Sequence, residues 1–351
     1  MSPRRASDYD ESDVRIRPSR RGSRPRSKDR PTHEDAIPGF VTAVDRGRYT
    51  VLVGEGVGGR KMPERVVTAM KARELGRKGI VVGDEVELVG DTSGGPDSLA
   101  RIVKLSPRRS VLRRTADDTD PVERVIVANP DQLVIVSALA NPEPRPRLID
   151  RCLVAAYAAD LDPLLVLTKA DLQDPSDFLA NYAPLNVPYI VTSTAGDGFD
   201  GLEALQDKLI GRVSVFVGHS GVGKSTLVNG LVPDAQRAIG NVNIVTGRGR
   251  HTSSSAVALR LPGDQGWVID TPGVRSFGLA HVDLHRIIEH FPDLEPGTEK
   301  CPRSCSHDEE ECALDEWVAS GHAGPAGASR LESLRRLLRA RSGEGDSGPG
   351  Y

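Results

Sequence analysis

Three short motifs in this 351-residue chain carry residue types that handle a nucleoside triphosphate. Gly218-His219-Ser220-Gly221-Val222-Gly223-Lys224-Ser225-Thr226 matches G-x-x-x-x-G-K-[ST], after an apolar run and before a helical pattern. Glycines there let the backbone curl so that successive N–H groups face phosphate oxygens, helped by the N-terminus of the following helix. Lys224 is placed to reach the β- and γ-phosphates, and Ser225 to ligate Mg2+ through its hydroxyl. Asp270-Thr271-Pro272-Gly273 ends another apolar run, Trp267-Val268-Ile269. An acid in that position can hold Mg2+ through water, and the Gly273 N–H can meet the γ-phosphate. Thr168-Lys169-Ala170-Asp171 follows the run Pro163 to Leu167. The Asp171 carboxylate can accept hydrogen bonds from guanine N1 and N2, a donor pair adenine lacks, while the Lys169 stem lies along the base. Within Thr192-Ser193-Thr194-Ala195, a backbone N–H can meet guanine O6.

Alone, Thr168 to Asp171 reads as a helix N-cap turn and Asp270 to Gly273 as an ordinary turn. Their coupling gives the stronger reading, and their order is unusual. A GTP-binding domain ordinarily has the phosphate loop first and the base loop last. Here the base readers lead, so the domain reads as circularly permuted.

A second group has the spacing expected of metal ligands. Cys301, Cys305, His307 and Cys312 form C-x3-C-x-H-x4-C. Clustered cysteines in a chain without an export signal point to metal before disulfides. Three thiolates and one imidazole suit tetrahedral Zn2+, with no position left open for catalysis. The expectation is a structural ion fixing a loop between helices at Leu284 to His290 and Leu314 to Ser320; the alternative is free thiols with an exposed His307. Cys152 sits on a helix face and is expected as a small buried residue. His281, His285, His290 and His322 are expected at the surface or in packing.

These groups need strands and helices to hold them. Gly39 to Val44, Tyr49 to Val53, Ile80 to Val82, Glu85 to Leu88 and Leu99 to Leu105 read as short strands, with a turn at Asp45 to Arg48. Such spacing suggests a small closed β-barrel of the OB-fold kind. Arg60, Lys61, Arg65, Lys71, Arg73, Arg77 and Lys78 are scattered over it, as an RNA-binding face or as an ordinary wet surface. Residues 106 to 124 read as a charged, turn-rich connector. Strands then alternate with helices: Gln132 to Val136, helix Leu148 to Ala159, Pro163 to Leu167, Pro188 to Val191, helix Leu202 to Ile210, Val213 to Val217 and Gly266 to Ile269. This is a βαβ architecture around a parallel sheet. Ser329 to Arg341 reads as a basic amphipathic helix with Leu331, Leu334, Leu337 and Leu338 on one face.

Composition adds exclusions. The hydrophobic share is 38% and aromatics 4%, a deficit traceable to polar ends. No run of 18 apolar residues exists, so no membrane span is expected, and the N-terminus lacks the apolar core of a secretory signal. Residues 1 to 30 hold ten Lys or Arg against five acids. That composition predicts a disordered basic tail, either solubilising or in loose contact with RNA. Asp308 to Glu311 forms an acidic run.

Together these residues resemble the small-ribosomal-subunit-dependent, circularly permuted GTPases called RsgA, from about Pro38 to Arg341. The most specific pieces are Gly218 to Thr226, Gly249-Arg250-His251-Thr252, Asp270 to Arg275 and the cysteine cluster. The resemblance implies a multidomain chain: tail 1–35, OB-fold RNA-binding barrel 36–106, permuted α/β P-loop GTPase domain 107–278, helical zinc-binding domain 279–341 and tail 342–351. It implies a cytoplasmic monomer with structural Zn2+ and with Mg2+ bound alongside GTP or GDP. Its partner would be the 30S subunit with its 16S rRNA, which stimulates hydrolysis during late maturation. GTP contacts would come from Thr168, Lys169, Ala170, Asp171, Ser193, Gly218, His219, Ser220, Gly221, Val222, Gly223, Lys224, Ser225, Thr226, Thr252, Asp270 and Gly273.

The chain departs from the family in three places. Thr168 stands where Asn is usual, which implies weaker GTP affinity. Thr192-Ser193 replaces Ser-Ala, and the metal cluster is one residue shorter on each side. Many GTPases orient the attacking water with a Gln after Asp-x-x-Gly, but this chain has Val274, which cannot hold water. The family pattern therefore makes His251 the catalytic candidate in place of a surface imidazole, and Thr252 the Mg2+ and γ-phosphate candidate, with Ser253 in reserve. The rival readings are a P-loop ATPase or kinase, a GTP-switched RNA-binding protein with little catalysis, and a translation factor on working ribosomes.

Overall fold

The apolar alternation of the N-terminal segments produces strands β1 (Ile37–Asp45), β2 (Arg48–Val53), β3 (Arg65–Lys71), β4 (Glu85–Gly90) and β5 (Ala100–Leu105). They lie in the order β1-β2-β3-β5-β4, and β1 also pairs with β4, so the set closes into a barrel. Val41, Val51, Val67, Leu88 and Ile102 fill its interior. Arg46 and Gly47 both have positive φ, the backbone that a two-residue hairpin turn needs to match strand twist.

This computed structural model describes residues 33–54, 63–76, 79–114, 124–195, 198–233, 235, 256–271, 279, 282–309 and 311–342. Strand β3 is not among the expected strands: Val66 and Met70 are exposed while Val67 and Ala69 are buried, so apolar residues occupy both faces and no apolar–polar alternation marks it. Ile80 to Val82 makes one isolated bridge, Val82 to Val127, not a strand. The expected connector, 106 to 124, holds strand β6 (Val111–Arg114), which pairs antiparallel with β7 (Arg124–Ala128).

The second half of the sheet runs β10-β9-β8-β11-β13-β12. Its members are β8 (Gln132–Ala138), β9 (Asp162–Thr168), β10 (Tyr189–Val191), β11 (Arg212–Val217), β12 (Val257–Arg260) and β13 (Gly266–Asp270). All pair in parallel except β12. Every residue of β8 is buried, as a sheet covered on both faces requires. Strand β12 also pairs with β1, Ala43 opposite Val257, so barrel and parallel strands form one eleven-stranded sheet.

Helices α1 (Pro146–Ala158), α2 (Ser176–Ala180), α3 (Leu202–Leu209) and α4 (Lys224–Leu231) connect these strands. Pro146 starts α1 where its missing N–H costs nothing, and Ile149, Cys152, Leu153 and Ala156 form its buried stripe at helical spacing. Helices α5 (Leu284–Ile288), α6 (Ala313–Ala319) and α7 (Gly327–Ser342) follow. Leu331, Leu334, Leu337 and Leu338 of α7 are buried in the same core as α1. His290 stacks on Tyr157 and His322 on Trp317. Among the described residues no helix is long and apolar enough to cross a membrane.

One ion pair at the α1–α7 contact is buried. Asp150, 2% exposed, faces Arg336 Nε at 3.2 Å. Burial outweighs the guanidinium and pushes the carboxyl up from 3.8 to about 6. The folded state therefore holds a proton between those values that the unfolded state has lost, so stability falls as pH rises from about 4 to about 6. The size is on the order of 3 kcal/mol, from two units at 1.36 kcal/mol each. Urea titrations across that range should show this slope in the wild type and its loss in Asp150→Asn.

Candidate functional site

The C-terminal ends of the parallel strands carry the nucleotide motifs, the edge where open α/β sheets bind ligands. Strand β11 delivers the chain into Gly218. A Cβ at Gly218 would lie 2.5 Å from the Val136 carbonyl, so only glycine lets the loop pass beside β8. Gly223, with φ +92, caps α4 in a left-handed conformation that side-chain-bearing residues rarely adopt. Lys224 opens α4 and forms an ion pair with Asp270 at the end of β13. Their side chains are 12% and 18% exposed. Thr271 Oγ1 donates to the Phe216 carbonyl at 2.8 Å, fixing the ends of β13 and β11 together. Ser225 and Thr226 lie exposed in the first turn of α4.

The base-loop residues lie against the phosphate loop. Thr168, 5% exposed, donates from Oγ1 to the Val222 carbonyl at 2.6 Å. Lys169, with φ +60, donates from Nζ to the Gly221 carbonyl at 3.0 Å and to the Asn141 carbonyl. The Ala170 N–H reaches Thr192 O at 3.2 Å. Ser193 Oγ donates to Asp171 Oδ1 at 2.9 Å and accepts the Ala195 N–H at 3.1 Å. Asp171 is thus fixed by one oxygen and keeps further acceptor positions at an exposed edge. The hydroxyl of Ser193 and the carbonyl of Asn141 are contributions the sequence reading did not find. The only signal for the second is Asn141-Pro142, a turn dipeptide.

His219 lies partly covered. Its Nδ1 is 2.9 Å from the Ser220 carbonyl, and its Nε2 is buried with no hydrogen-bond partner. Burial holds the imidazole below its ordinary range; Arg145 and Lys169 add to this while the Ser220 carbonyl opposes it. The neutral ring with its proton on Nδ1 fits these contacts. His251, Thr252, Ser253, Gly273 and Val274 lie outside the described residues.

Cys301, Cys305, His307 and Cys312 converge so that their ligand atoms lie within 4.8 Å of one another. Cys301 and Cys312 sulfurs are 3.8 Å apart, and His307 Nδ1 is 3.5 and 3.8 Å from them. A tetrahedral ion with metal–sulfur bonds of about 2.3 Å and metal–nitrogen bonds of about 2.0 Å requires edges of about 3.8 and 3.5 Å. The residues therefore fit a tetrahedral metal. Ser304 and His307 both have φ +65, local strain of the kind found at functional loops. The His307 N–H points at Cys305 Sγ at 3.4 Å. Glu309 accepts from the protonated Cys305 thiol at 2.9 Å and from Ser306, and the thiol gives up that bond when it becomes a thiolate ligand.

A family model described as RsgA GTPase matches residues 105–280. A protein named small ribosomal subunit biogenesis GTPase RsgA from Chlorobaculum parvum is 36% identical over 313 residues, covering 87% of this chain and 98% of its own. The protein of that name from Chromohalobacter salexigens is 39% identical over 270 residues, 74% of this chain and 75% of its own. The crystal structure of YjeQ from Thermotoga maritima is similar with a TM-score of 0.61 and 26% identity, over 88% of this chain and 99% of that one. YloQ, described as a circularly permuted GTPase, shares the fold at TM-score 0.59 and 22% identity, over 92% of this chain and 100% of its own.

Two substitutions separate bracing from base contact. Thr168→Val leaves the buried Val222 carbonyl without its donor and should lower unfolding free energy by about 1–3 kcal/mol, read as a shifted urea midpoint. Ser193→Ala should leave that midpoint in place. It should weaken guanine-nucleotide binding roughly tenfold in a fluorescence titration, about 1.5 kcal/mol for a bond to a charged group.

Proposed function

This chain belongs to the RsgA GTPase family, and we propose on that premise that it docks on the 30S subunit through 16S rRNA and hydrolyses GTP there late in subunit maturation. It is a GTPase of small ribosomal subunit biogenesis. The observation that carries the mechanism is spatial. Thr168 and Lys169 grip the carbonyls of Val222 and Gly221, so the base loop stands beside the phosphate loop although it precedes it in the chain.

Phosphoryl transfer needs positioning and charge neutralisation more than covalent chemistry. In this reading Gly218 to Thr226 surrounds the phosphates, and Lys224 leaves Asp270 for the β- and γ-oxygens. Asp171 accepts from guanine N1 and N2 while Ser193 steadies it, and the Gly273 N–H meets the γ-phosphate. Ser225, Thr252 and Asp270 are the residues that would hold Mg2+, which when bound would supply charge neutralisation. His251 orients the attacking water once rRNA docks its loop, since Val274 cannot.

The barrel's strand order, closed by β1 with β4, supports an OB-fold that contacts RNA. Three thiolates and an imidazole at tetrahedral spacing support structural Zn2+. The division into tail 1–35, barrel 36–106, GTPase domain 107–278, zinc domain 279–341 and tail 342–351 belongs to this reading, as does a monomer working in the cytoplasm.

Steady-state phosphate release should rise strongly with GTP and 30S subunits, and not with ATP or 50S subunits. His251→Ala should lose about a hundredfold of the stimulated rate while keeping GDP affinity. Bound GTP without stimulation would instead favour a GTP-switched RNA-binding protein. Elemental analysis should find one zinc per chain, lost in Cys305→Ala.

A further inference from the structure

Helix α7 is rich in arginine, yet the arginines described on it are spent on protein groups. Arg335 Nε donates to the His307 carbonyl at 3.0 Å, and its fork grips Asp315 at 3.0 and 2.6 Å. Arg339 grips Asp308 with two bonds of 2.7 Å. His307 and Asp308 belong to the metal loop. The next residue after Arg335 faces a different element: Arg336 pairs with Asp150 of α1 and lies 5.0 Å over the Tyr182 ring. It also donates to the Asn181 carbonyl at 3.2 Å. Arg330 donates to the Pro184 carbonyl at 2.6 Å and grips Asp293.

From Tyr182 the contacts continue to the nucleotide loops. Its hydroxyl donates to the carbonyl of Pro146, the first residue of α1, at 3.3 Å. Pro146 directly follows the segment 141–145. The Asn141 carbonyl there accepts from Lys169 Nζ, which also holds Gly221 of the phosphate loop at 3.0 Å. Between His307 and Gly221 each link is a hydrogen bond, an ion pair, a ring contact or a few residues of backbone.

We propose that α7 couples the metal cluster to the guanine site. Arg335 senses the metal loop, and Arg336 passes its position to α1 and the segment that seats Lys169. This rests on the GTP and zinc readings above. With an ion bound, four ligands lock the loop, and His307 and Asp308 present fixed acceptors to α7. Without it the left-handed turn at His307 loses its crosslink, and Arg335 and Arg339 lose fixed partners. Helix α7 then slackens on α1, and Lys169 loses one of its two anchors. Coupling of this kind is reciprocal: whatever factor zinc adds to guanine-nucleotide affinity, the nucleotide adds to zinc affinity.

The experiment measures binding of a fluorescent GDP to the full chain, zinc-loaded and after a nitrogen-donor chelator that spares Mg2+, together with amide hydrogen exchange. Stripping should weaken GDP binding about tenfold, within the usual range for coupled sites, and raise exchange in α7 and at the start of α1. GDP should make zinc harder to remove by the same factor. Zinc-loaded Arg335→Ala, with all four ligands intact, should bind GDP as weakly as the stripped wild type and respond no further to the chelator. Asp315→Asn, which takes away the charge and one of the two oxygens that the fork grips at a half-exposed site, serves if Arg335→Ala does not fold. Unchanged GDP affinity on stripping, with faster exchange confined to 301–312, overturns the coupling. So does a zinc-loaded Arg335→Ala or Asp315→Asn that behaves as wild type. Failure of the loaded wild type to bind GDP at all would overturn the GTPase reading instead.

Discussion

The nucleotide site depends on a contact between segments 54 residues apart, the Thr168 hydroxyl on the Val222 carbonyl. In the proposed reading the loop from Gly218 to Ser225 turns its N–H groups toward phosphate oxygens, which leaves carbonyls that need donors from elsewhere in the chain. A buried carbonyl without a donor costs about 1–3 kcal/mol. Thr168 supplies the donor to the buried carbonyl of Val222, and Lys169 bonds the exposed carbonyl of Gly221. The base loop is therefore part of the structural support of the phosphate loop, and chain order becomes secondary. A permuted connection is tolerated because strand ends, not covalent neighbours, bring these groups together.

That alignment comes from the parallel sheet. Phe216 stands in register with Asp270, and Val217 with Ile135, so the loops leaving β8, β11 and β13 emerge side by side. The sheet does not stop at the nucleotide region. Antiparallel β12 passes its free edge to β1, covering an edge that would otherwise expose unpaired backbone. The barrel is thereby joined to the sheet through backbone pairing as well as through the chain between them.

The C-terminal helix shows how composition alone misleads about partners. A basic amphipathic helix suggests a nucleic-acid face, but Arg330, Arg335, Arg336 and Arg339 are all committed to carboxylates or carbonyls of the same chain. The mostly covered guanidinium groups of Arg330 and Arg335 are held by such forks, because a desolvated charge left unpaired is costly. Their work is internal: they tie the segment of His307 and Asp308 on one side and α1 on the other.

Much of this was legible in the sequence. Periodicity of two and of 3.6 residues located the parallel strands and the stripes of α1 and α7, because burial on a regular element imposes that spacing. The convergence of Cys301, Cys305, His307 and Cys312 was legible because donors a few residues apart on a short loop can gather at one point. Strand β3 was not, since its exposed positions hold apolar Val66 and Met70 beside buried Val67 and Ala69. The pairing of β6 with β7 was not either, since short strands are specified by their partners more than by their own pattern. Nor could the sequence assign the hydroxyls of Thr168 and Ser193 or the carbonyl of Asn141, whose partners lie 22 to 54 residues away. The sequence by itself determined which chemical groups the protein carries and the inverted order in which it carries them. Only the tertiary structure decided which of them meet, because hydrogen bonds act over about 3 Å of space and spacing along a chain does not measure that distance.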